Sequence, residues 1–354
     1  MSGVLRIVEP GLATTVQDRG RPGLQRFGVP PAGAVDPEGL ALALALADVR
    51  TQPQTDAPTD EAALECRVTG PTVEAEAAPL RLAWAGAGVA MQLTRQDGTG
   101  ATLEGWRSIT LMPGDRLAVG TLRGSTTGYL ALSGGIDLSP VMGSRATLTR
   151  AGLGGLDGRA LQPGDRLSTT AAPEPGAEHE VEPPADWLSE KPVRVALGPQ
   201  DDHFTGAALE AFLSTPWRIG NRSDRMGLRL EGPVLAHDPR PGHGADIVSD
   251  GIVTGAIQVP GSGQPILLLV DRQTSGGYAK IAAVIRADLP RLGRLGPGAT
   301  IRFQAVDARE GARLTRDAAE RLAARIAAIR PVRGGLDLDA LYRENLITGL
   351  VEEP

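Results

Sequence analysis

Short apolar segments separated by proline–glycine turns are the feature that most limits how this chain can fold. The sequence PGDRL occurs twice, at residues 113–117 and 163–167, and Pro297-Gly298 before residues 301–303 is a weaker third copy. Proline and glycine set the dihedral angles of tight turns, so turn formation explains these residues without a ligand. From residue 64 to residue 167 short strands alternate with turns, which is typical of a β-barrel or β-sandwich.

Two segments predict helices instead. Residues 36–38 (Asp-Pro-Glu) have the order of an N-cap, a first-turn proline and an early acid, so a helix is expected from there through Ala47. Leucines at every second position of residues 40–46 would fit a strand, but alanine and leucine favour the helix and none of these residues is β-branched. Residues 315–329 predict an amphipathic helix that packs on the barrel through its apolar face.

Charge and apolar content exclude several classes of protein. The chain has 354 residues, 41% of them hydrophobic, and 42 acidic against 36 basic residues give a net charge of −6. That balance argues against a strongly basic nucleic-acid surface, and no apolar stretch is long enough to span a membrane. The N-terminal residues lack the apolar run of a secretory signal, and Cys66 is the only cysteine. We therefore expect a cytoplasmic protein without an intrachain disulfide and without nucleic-acid or membrane partners.

A group of polar side chains directly follows a predicted core strand at residues 266–270. Five consecutive apolar residues, preceded by the turn cluster 260–263 and followed by Gly276-Gly277, fit a buried strand better than a short helix. The polar residues after the strand are Asp271, Arg272, Gln273 and Thr274. A carboxylate, a guanidinium, an amide and a hydroxyl at the end of a rigid strand can line the rim of a binding pocket.

Lys280 adds a cation to the same region. Only two lysines occur, Lys191 and Lys280, while arginine supplies the other 34 basic residues. A lysine retained beside Tyr278 is therefore a candidate site residue, against the plain alternative of an exposed surface charge. None of the four histidines has the spacing of a metalloprotease pair, so no metal site is expected.

Six motifs together resemble one known family. They are TTVQDRGRPGLQRFGVPPAGAVDP at residues 14–37, SGGID at 133–137, GSR at 143–145, GPQDD at 198–202, SDRMGLRLEG at 223–232 and GAIQVPGSGQPILLLVDRQTSGGYAKIAAVIRADLPRLGRLGPG at 255–298. The combination is similar to the allophanate hydrolase subunit 2 family, also called the biotin-dependent carboxyltransferase family. The resemblance implies a mainly β fold with a few helices, arranged as two cyclophilin-like β-barrel domains.

The proline-rich, acidic segment 169–191 is the best candidate for a linker between these domains. An N-terminal β-barrel-type domain is then expected at residues 1–168. A C-terminal cyclophilin-like domain is expected at 192–310, with its first strand at residues 193–197. Residues 311–354 are expected to form a C-terminal helix and tail.

The resemblance also implies an enzymatic function. One expectation is a subunit of a bacterial ATP-dependent 5-oxoprolinase, a hydrolase that opens the lactam of 5-oxoproline to glutamate, active in a hetero-oligomer with a subunit 1 type partner and a separate lactam-opening subunit. ATP would be the cofactor, bound by this chain or together with a partner subunit. Two alternatives stay open: a regulatory protein that antagonises a kinase-inhibitor partner, and a urea-type carboxyltransferase subunit, for which alone biotin would be a cofactor.

A small-molecule amide substrate needs hydrogen-bond donors at its carbonyl oxygen and an acceptor at its N–H. We expect Asp271 and Lys280 to be catalytic and to face one pocket, with a turn at residues 275–277 bringing the strand of Lys280 beside Asp271. The expected substrate-binding residues are Gln258, Arg272, Gln273, Thr274, Tyr278, Ser223, Asp224 and Arg225. The alternative is that Asp271 and Arg272 pair with each other or with Asp224 and Arg225, forming a buried ion network without a ligand.

Overall fold

The computed structural model describes residues 3–49, 61–169 and 177–332 of the 354-residue chain. In these ranges the chain is mainly β, which confirms the predicted fold class. The helices are α1 (Pro37–Leu46), α2 (Gly206–Ser214), α3 (Leu289–Arg294) and α4 (Ala308–Ala327). None of the helices in the described part of the chain is long and apolar enough to cross a membrane.

The first half of the chain forms two sheets that face each other. Their strands are β1 (Val4–Glu9), β2 (Thr15–Gln17), β3 (Ala63–Arg67), β4 (Thr72–Glu76), β5 (Leu80–Gly88), β6 (Ala90–Thr94), β7 (Gly100–Glu104), β8 (Arg107–Leu111), β9 (Arg116–Ala118), β10 (Arg123–Leu132), β11 (Arg166–Ser168) and β12 (His179–Glu180), joined by β23 (Arg330–Pro331) from the end of the chain. The strand orders are β11-β1-β4-β9-β6-β7 and β2-β3-β10-β5-β8-β12-β23.

One hydrophobic core lies between these two sheets. Alternate residues of β1, such as Leu5 and Ile7, are fully buried against Val73 of β4 and Trp84 of β5. This alternation is what a strand with one face on the core requires. The predicted turn-plus-strand unit at residues 113–117 ends in β9, as the sequence indicated.

Helix α1 covers the outer face of the second sheet. Asp36 caps it by accepting a hydrogen bond from the Gly39 N–H at 3.1 Å, and Pro37 is its first residue, as predicted. Leu42 and Leu46 are fully buried in a cluster with residues of β3, β5 and β10. The helix is therefore buried on most of its surface, which explains why its apolar residues do not follow a one-sided helical period.

The second half of the chain is built around one larger sheet. Its strands are β13 (Val193–Leu197), β14 (Trp217–Ile219), β15 (Gly227–Glu231), β17 (Ala256–Gln258), β18 (Ile266–Leu268), β20 (Lys280–Val284), β21 (Thr300–Ile301) and β22 (Phe303–Ala305), in the order β21-β14-β15-β18-β17-β20-β13-β22. The strands β16 (Asp246–Gly251) and β19 (Ser275–Tyr278) pair as a separate two-stranded ribbon. A second core, containing Phe212, Trp217 and Phe303, fills this half.

Helix α3 brings the two halves into close contact. Thr127 of β10 donates to the Gly293 carbonyl at 2.6 Å, and a side chain at position 293 would clash with the Val35 carbonyl oxygen. Only glycine allows the two backbones to approach this closely. The described residues on either side of the expected junction are therefore packed against each other.

The segment boundaries differ in part from those expected. The expected turn at residues 275–277 is wrong, because these residues belong to strand β19 and pair with β16, a strand formed earlier in the chain by residues 246–251. Part of the expected linker, residues 170–176, and the expected tail, residues 333–354, lie outside the described residues. The division into domains stays a prediction. The predicted amphipathic helix exists as α4 and begins earlier, at Ala308.

Candidate functional site

The polar residues predicted to follow the core strand come after β18, and they divide into a buried pair, Asp271 and Arg272, and a more accessible pair, Gln273 and Thr274. Asp271 is 6% exposed and Arg272 is 2% exposed. The Asp271 backbone N–H donates to the Arg225 carbonyl at 3.0 Å, which attaches this segment to the turn before β15. The Val270 carbonyl accepts from the Ala32 N–H at 3.2 Å, so the segment also contacts the first half of the chain.

Arg225 holds two buried carboxylates together. Its guanidinium donates to both oxygens of Asp271, at 2.8 and 3.0 Å, and to Oε1 of Glu65, a fully buried residue of β3, at 2.5 Å. It also donates to the Gly33 carbonyl at 2.7 Å. Burial disfavours the charged form of Arg225, but Glu65 and Asp271 outweigh burial and raise its pKa. Burial raises the pKa of Asp271 above its ordinary value, although Arg225 opposes that shift.

The contacts of Asp271 thus match the alternative in which it belongs to a buried ion network with Arg225. Both carboxylate oxygens already accept hydrogen bonds from Arg225. A substrate N–H would have to share these oxygens or displace the guanidinium. The catalytic role of Asp271 stays a prediction, and the geometry gives it the further task of positioning Arg225.

The network continues from Glu65 into the contact between the halves. Tyr129 of β10 donates from its hydroxyl to Glu65 Oε2 at 2.8 Å and accepts from the Asp36 N–H at 3.0 Å. Asp36 accepts from Arg294 of α3 at 2.7 and 3.0 Å. Burial, with Glu65 and Asp36 nearby, raises the pKa of Tyr129, so this hydroxyl stays protonated. A continuous hydrogen-bonded chain therefore links Asp271 to Arg294.

Arg272 contrasts with Arg225 because no carboxylate contacts it in the described part of the chain. Its Nε and Nη2 donate to the Ile252 carbonyl at 3.2 and 2.9 Å. Its Nη1 is buried and makes no hydrogen bond among the described residues. Burial lowers the pKa of Arg272 to about 10. A buried guanidinium held only by a neutral carbonyl is a site where an anion would bind favourably.

An open cleft adjoins Arg272 on the other side of the Ile252 backbone. Its volume is about 630 Å³, and its lining includes Gln25, Ile252 and Thr274. The Gln25 amide donates to the same Ile252 carbonyl at 3.2 Å, and the Ile252 N–H donates to the Thr274 carbonyl at 3.0 Å. Of the predicted substrate-binding residues, Thr274 therefore lines a cleft of ligand size directly, and Arg272 lies behind its wall.

Gln258, Gln273 and Tyr278 come together near the same wall. The Gln273 amide donates to Gln258 Oε1 at 3.4 Å, and the Gln258 amide donates to the Tyr278 carbonyl at 3.4 Å. Both hydrogen bonds are long, so the two amides can exchange them for a planar amide ligand at little cost. The Tyr278 side chain is 43% exposed and lines a different cleft, of about 680 Å³, beside β15.

Ser223 and Asp224 shape the turn that presents Arg225. The Ser223 hydroxyl donates to the Gly220 carbonyl at 2.8 Å and accepts from the Arg229 N–H at 3.1 Å. Asp224 accepts from the Met226 N–H at 2.8 Å. Side chains used in this way stabilise a local turn, so direct substrate contact by these two residues stays a prediction.

Lys280 is buried but has a partner different from the one predicted. It is 3% exposed on β20, and its Nζ donates to Asp250 of the β16–β19 ribbon at 2.8 Å. The hydrogen bond from Lys280 lowers the pKa of Asp250. Residues 275–277 form a strand that pairs with β16 and do not turn Lys280 back toward Asp271. Asp271 pairs with Arg225 and Lys280 pairs with Asp250, so the two residues belong to separate ion pairs. The ammonium group connects the core sheet to the ribbon.

Comparisons with known proteins agree with this architecture. The family described as "Carboxyltransferase domain, subdomain A and B" matches residues 27–305. The chain belongs to this family. It is 36% identical to a 5-oxoprolinase subunit of Escherichia coli K12 over 85% of this chain and 90% of that protein, and 32% identical to the Haemophilus influenzae protein of the same name over 88% and 94%. The crystal structure of Kluyveromyces lactis urea carboxylase matches with a TM-score of 0.77 at 27% identity, over 90% of this chain and 29% of that one.

Several site residues of this carboxyltransferase-domain protein were not found by sequence reasoning. Glu65 and Tyr129 lie on strands of the first half, and Arg294 lies in a short helix. One signal was available: Glu65 is a single carboxylate in the otherwise apolar strand residues 62–66. Arg21, in the motif at residues 14–37, is 1% exposed, and its Nη1 makes no hydrogen bond to any described residue; burial lowers its pKa while Asp18 and Asp271 oppose the shift.

Proposed function

We propose that this chain is a subunit of an ATP-dependent 5-oxoprolinase and supplies the site that binds the lactam substrate. The names of the two bacterial relatives support the reaction. The observation that carries the choice of substrate is Arg272, a buried guanidinium without a carboxylate partner in the described residues. 5-Oxoproline carries a carboxylate beside its ring amide, whereas urea is neutral and has no anionic group.

The substrate carboxylate takes the place of the Ile252 carbonyl in this proposal. A carboxylate is the better acceptor for a guanidinium, because the hydrogen bonds are charge-assisted and bidentate. Binding also compensates the cost of burying Arg272, which is expressed in its lowered pKa. The Gln25 amide, which shares the Ile252 carbonyl, becomes free to bind the same anion.

The lactam group then lies toward the two glutamines. Gln258 and Gln273 each have an amide oxygen for the ring N–H and an amide nitrogen for the ring carbonyl. Their present hydrogen bonds are long, so re-pairing with the substrate costs little. This chain binds and orients the lactam. The partner subunits supply the groups that attack its polarised carbonyl.

ATP is assigned mainly to those partners. A triphosphate needs several unpaired cations, but at this site Arg225 and Lys280 are already paired with carboxylates. Arg272 alone does not make a nucleotide site. The subunit 1 type partner, the separate lactam-opening subunit and the cytoplasmic location are part of the proposal. The regulatory and biotin-dependent functions remain alternatives, and a neutral urea would leave Arg272 without an anion.

The test uses the reconstituted complex with Arg272→Met and, as a matched control, the exposed Arg286→Met. ATP hydrolysis is measured against 5-oxoproline and against 2-pyrrolidinone, the same lactam without a carboxylate. Loss of charged hydrogen bonds worth about 1.5–3 kcal/mol raises the KM for 5-oxoproline roughly ten- to a hundredfold in Arg272→Met. Turnover with 2-pyrrolidinone is the same in wild type and variant. An unchanged KM for 5-oxoproline in a folded Arg272→Met complex contradicts the assignment.

A further inference from the structure

Another polar cleft lies between the segment preceding β13, helix α3 and helix α4. Its volume is about 420 Å³, within the usual range for small-molecule sites. Its lining is dominated by charge: the cations are Lys191, Arg194, Arg291, Arg294, Arg321 and Arg325, and the carboxylates are Glu38, Asp186 and Asp288. The residues of the lactam site, Arg272 and Thr274, do not line this cleft.

Three of the six cations are neutralised by carboxylates. Arg194 donates from its Nε to Asp288 at 3.0 Å. Arg294 is paired with Asp36 and Glu38, and Arg325 with Asp186. All three carboxylates of the lining are consumed by these pairs. An anion entering the cleft therefore meets the positive charges that remain.

The remaining cations, Lys191, Arg291 and Arg321, form no ion pair among the described residues. Arg291 is partly buried, and its Nε is buried without a hydrogen-bond partner there. Its Nη1 donates only to the backbone carbonyl of Lys191. Burial is the main cause that lowers the pKa of Arg291, Arg194 and Arg294 add to the shift, and Asp288 and Glu190 oppose it. This guanidinium thus lies near Arg194 and Arg294 as well as Asp288 and Glu190, but it forms no direct ion pair among the described residues.

We propose that this cleft binds a phosphoryl group, either as free phosphate or at the end of a small phosphorylated molecule. A phosphate dianion offers enough charge and enough acceptor oxygens for three separate cations, whereas one carboxylate is satisfied by a single guanidinium. Arg291 lies at the buried end and Lys191 and Arg321 are exposed around it. The site is independent of the proposed lactam function, since the two clefts share no lining residue.

The site also adjoins the hydrogen-bonded chain described above. Arg294 belongs to the cleft wall and to the network that runs through Asp36, Tyr129 and Glu65 to Arg225. A phosphoryl group in the cleft adds a negative charge next to Arg294. Phosphate that binds the folded protein in this cleft is expected to raise its stability against unfolding.

The test is calorimetric titration of the full chain with inorganic phosphate, ADP and glutamate. Arg291→Gln and Arg321→Gln remove cations of the cleft, and Arg316→Gln removes an exposed arginine of α4 outside it. We expect phosphate or ADP to bind wild type and the Arg316→Gln control equally. Affinity falls at least tenfold in Arg291→Gln and less in Arg321→Gln. Tighter binding of ADP than of phosphate identifies a nucleotide end as the source of the phosphoryl group, and equal binding identifies free phosphate.

Thermal unfolding gives a second readout that does not depend on calorimetric heat. A ligand that binds only the folded state raises the melting temperature with its concentration. Phosphate raises it in wild type and not in Arg291→Gln, which itself unfolds no earlier than wild type because the removed charge is partly buried and forms no ion pair among the described residues. No phosphate or ADP binding by wild type, equal loss in the Arg316→Gln control, or glutamate binding more tightly than phosphate overturns the proposal.

Discussion

Replacing Arg225 by methionine tests the network between Asp271 and Glu65. The wild-type guanidinium makes hydrogen bonds to both carboxylates and to the Gly33 carbonyl. Methionine fills much of the space but removes the cation that pairs with Glu65, which is fully buried, and with Asp271, which is 6% exposed. Breaking a buried ion pair by removing one partner costs about 3–5 kcal/mol, so the free energy of unfolding should fall by this amount at neutral pH.

The loss depends on pH with a defined sign. Burial already raises the pKa of Asp271 in the wild type, and Arg225 is the group that opposes this shift. Without Arg225 the folded-state pKa of Asp271 rises further above the unfolded value of about 4. A raised pKa means stability that is present below the unfolded pKa and is lost as pH rises through the folded one. The deficit of Arg225→Met is therefore larger at pH 8 than at pH 5.

Urea unfolding monitored by tryptophan fluorescence at both pH values measures this. The exposed Arg222, in the same turn, supplies the control variant Arg222→Met, which should unfold within about 0.5 kcal/mol of wild type. A deficit for Arg225→Met below about 1 kcal/mol, or an equal deficit at pH 5 and pH 8, would refute the reasoning.

Three further substitutions separate structural from catalytic roles. Cys66→Ala should leave complex activity intact, because burial raises the pKa of the thiol and keeps it protonated and unreactive; lost turnover in a folded variant would contradict this. Asp271→Asn should lower both the melting temperature and turnover, since it weakens the hold on Arg225; an unchanged melting temperature would show that the pair is not structural. Lys280→Met should lower turnover roughly ten- to a hundredfold if its ammonium group contacts substrate. It should cost little stability, because the Asp250 side chain is 55% exposed and water can hydrate it. Full activity of the variant would exclude a catalytic role for Lys280.

Local patterns predicted the elements that depend on neighbouring residues. The cap at Asp36 and the proline after it were sufficient for α1, and β13 was predicted with the boundaries observed. The predicted strand at residues 266–270 exists as the shorter β18. In each case the chain segment itself carries the signal, either as capping chemistry or as hydrophobic periodicity.

Contacts between distant residues could not be predicted in this way. Residues 275–277 look like a turn because two glycines follow a serine, but β16 provides a pairing partner and makes them a strand. Arg225 and Glu65 are 160 positions apart, and Arg294 and Asp36 are 258 apart. The sequence predicted Arg225 and Asp271 as site residues. The second carboxylate that pairs with Arg225, Glu65, comes from the other half of the chain.

The most direct test of the proposed function is ATP hydrolysis by the complex reconstituted with its partner subunits, with and without 5-oxoproline. We predict that 5-oxoproline stimulates ATP turnover only when this chain is present, and that the purified chain alone hydrolyses neither compound. Urea should not replace 5-oxoproline, because it cannot pair with Arg272. Stimulation by urea instead of 5-oxoproline, or lactam-dependent turnover by the single chain, would contradict the account.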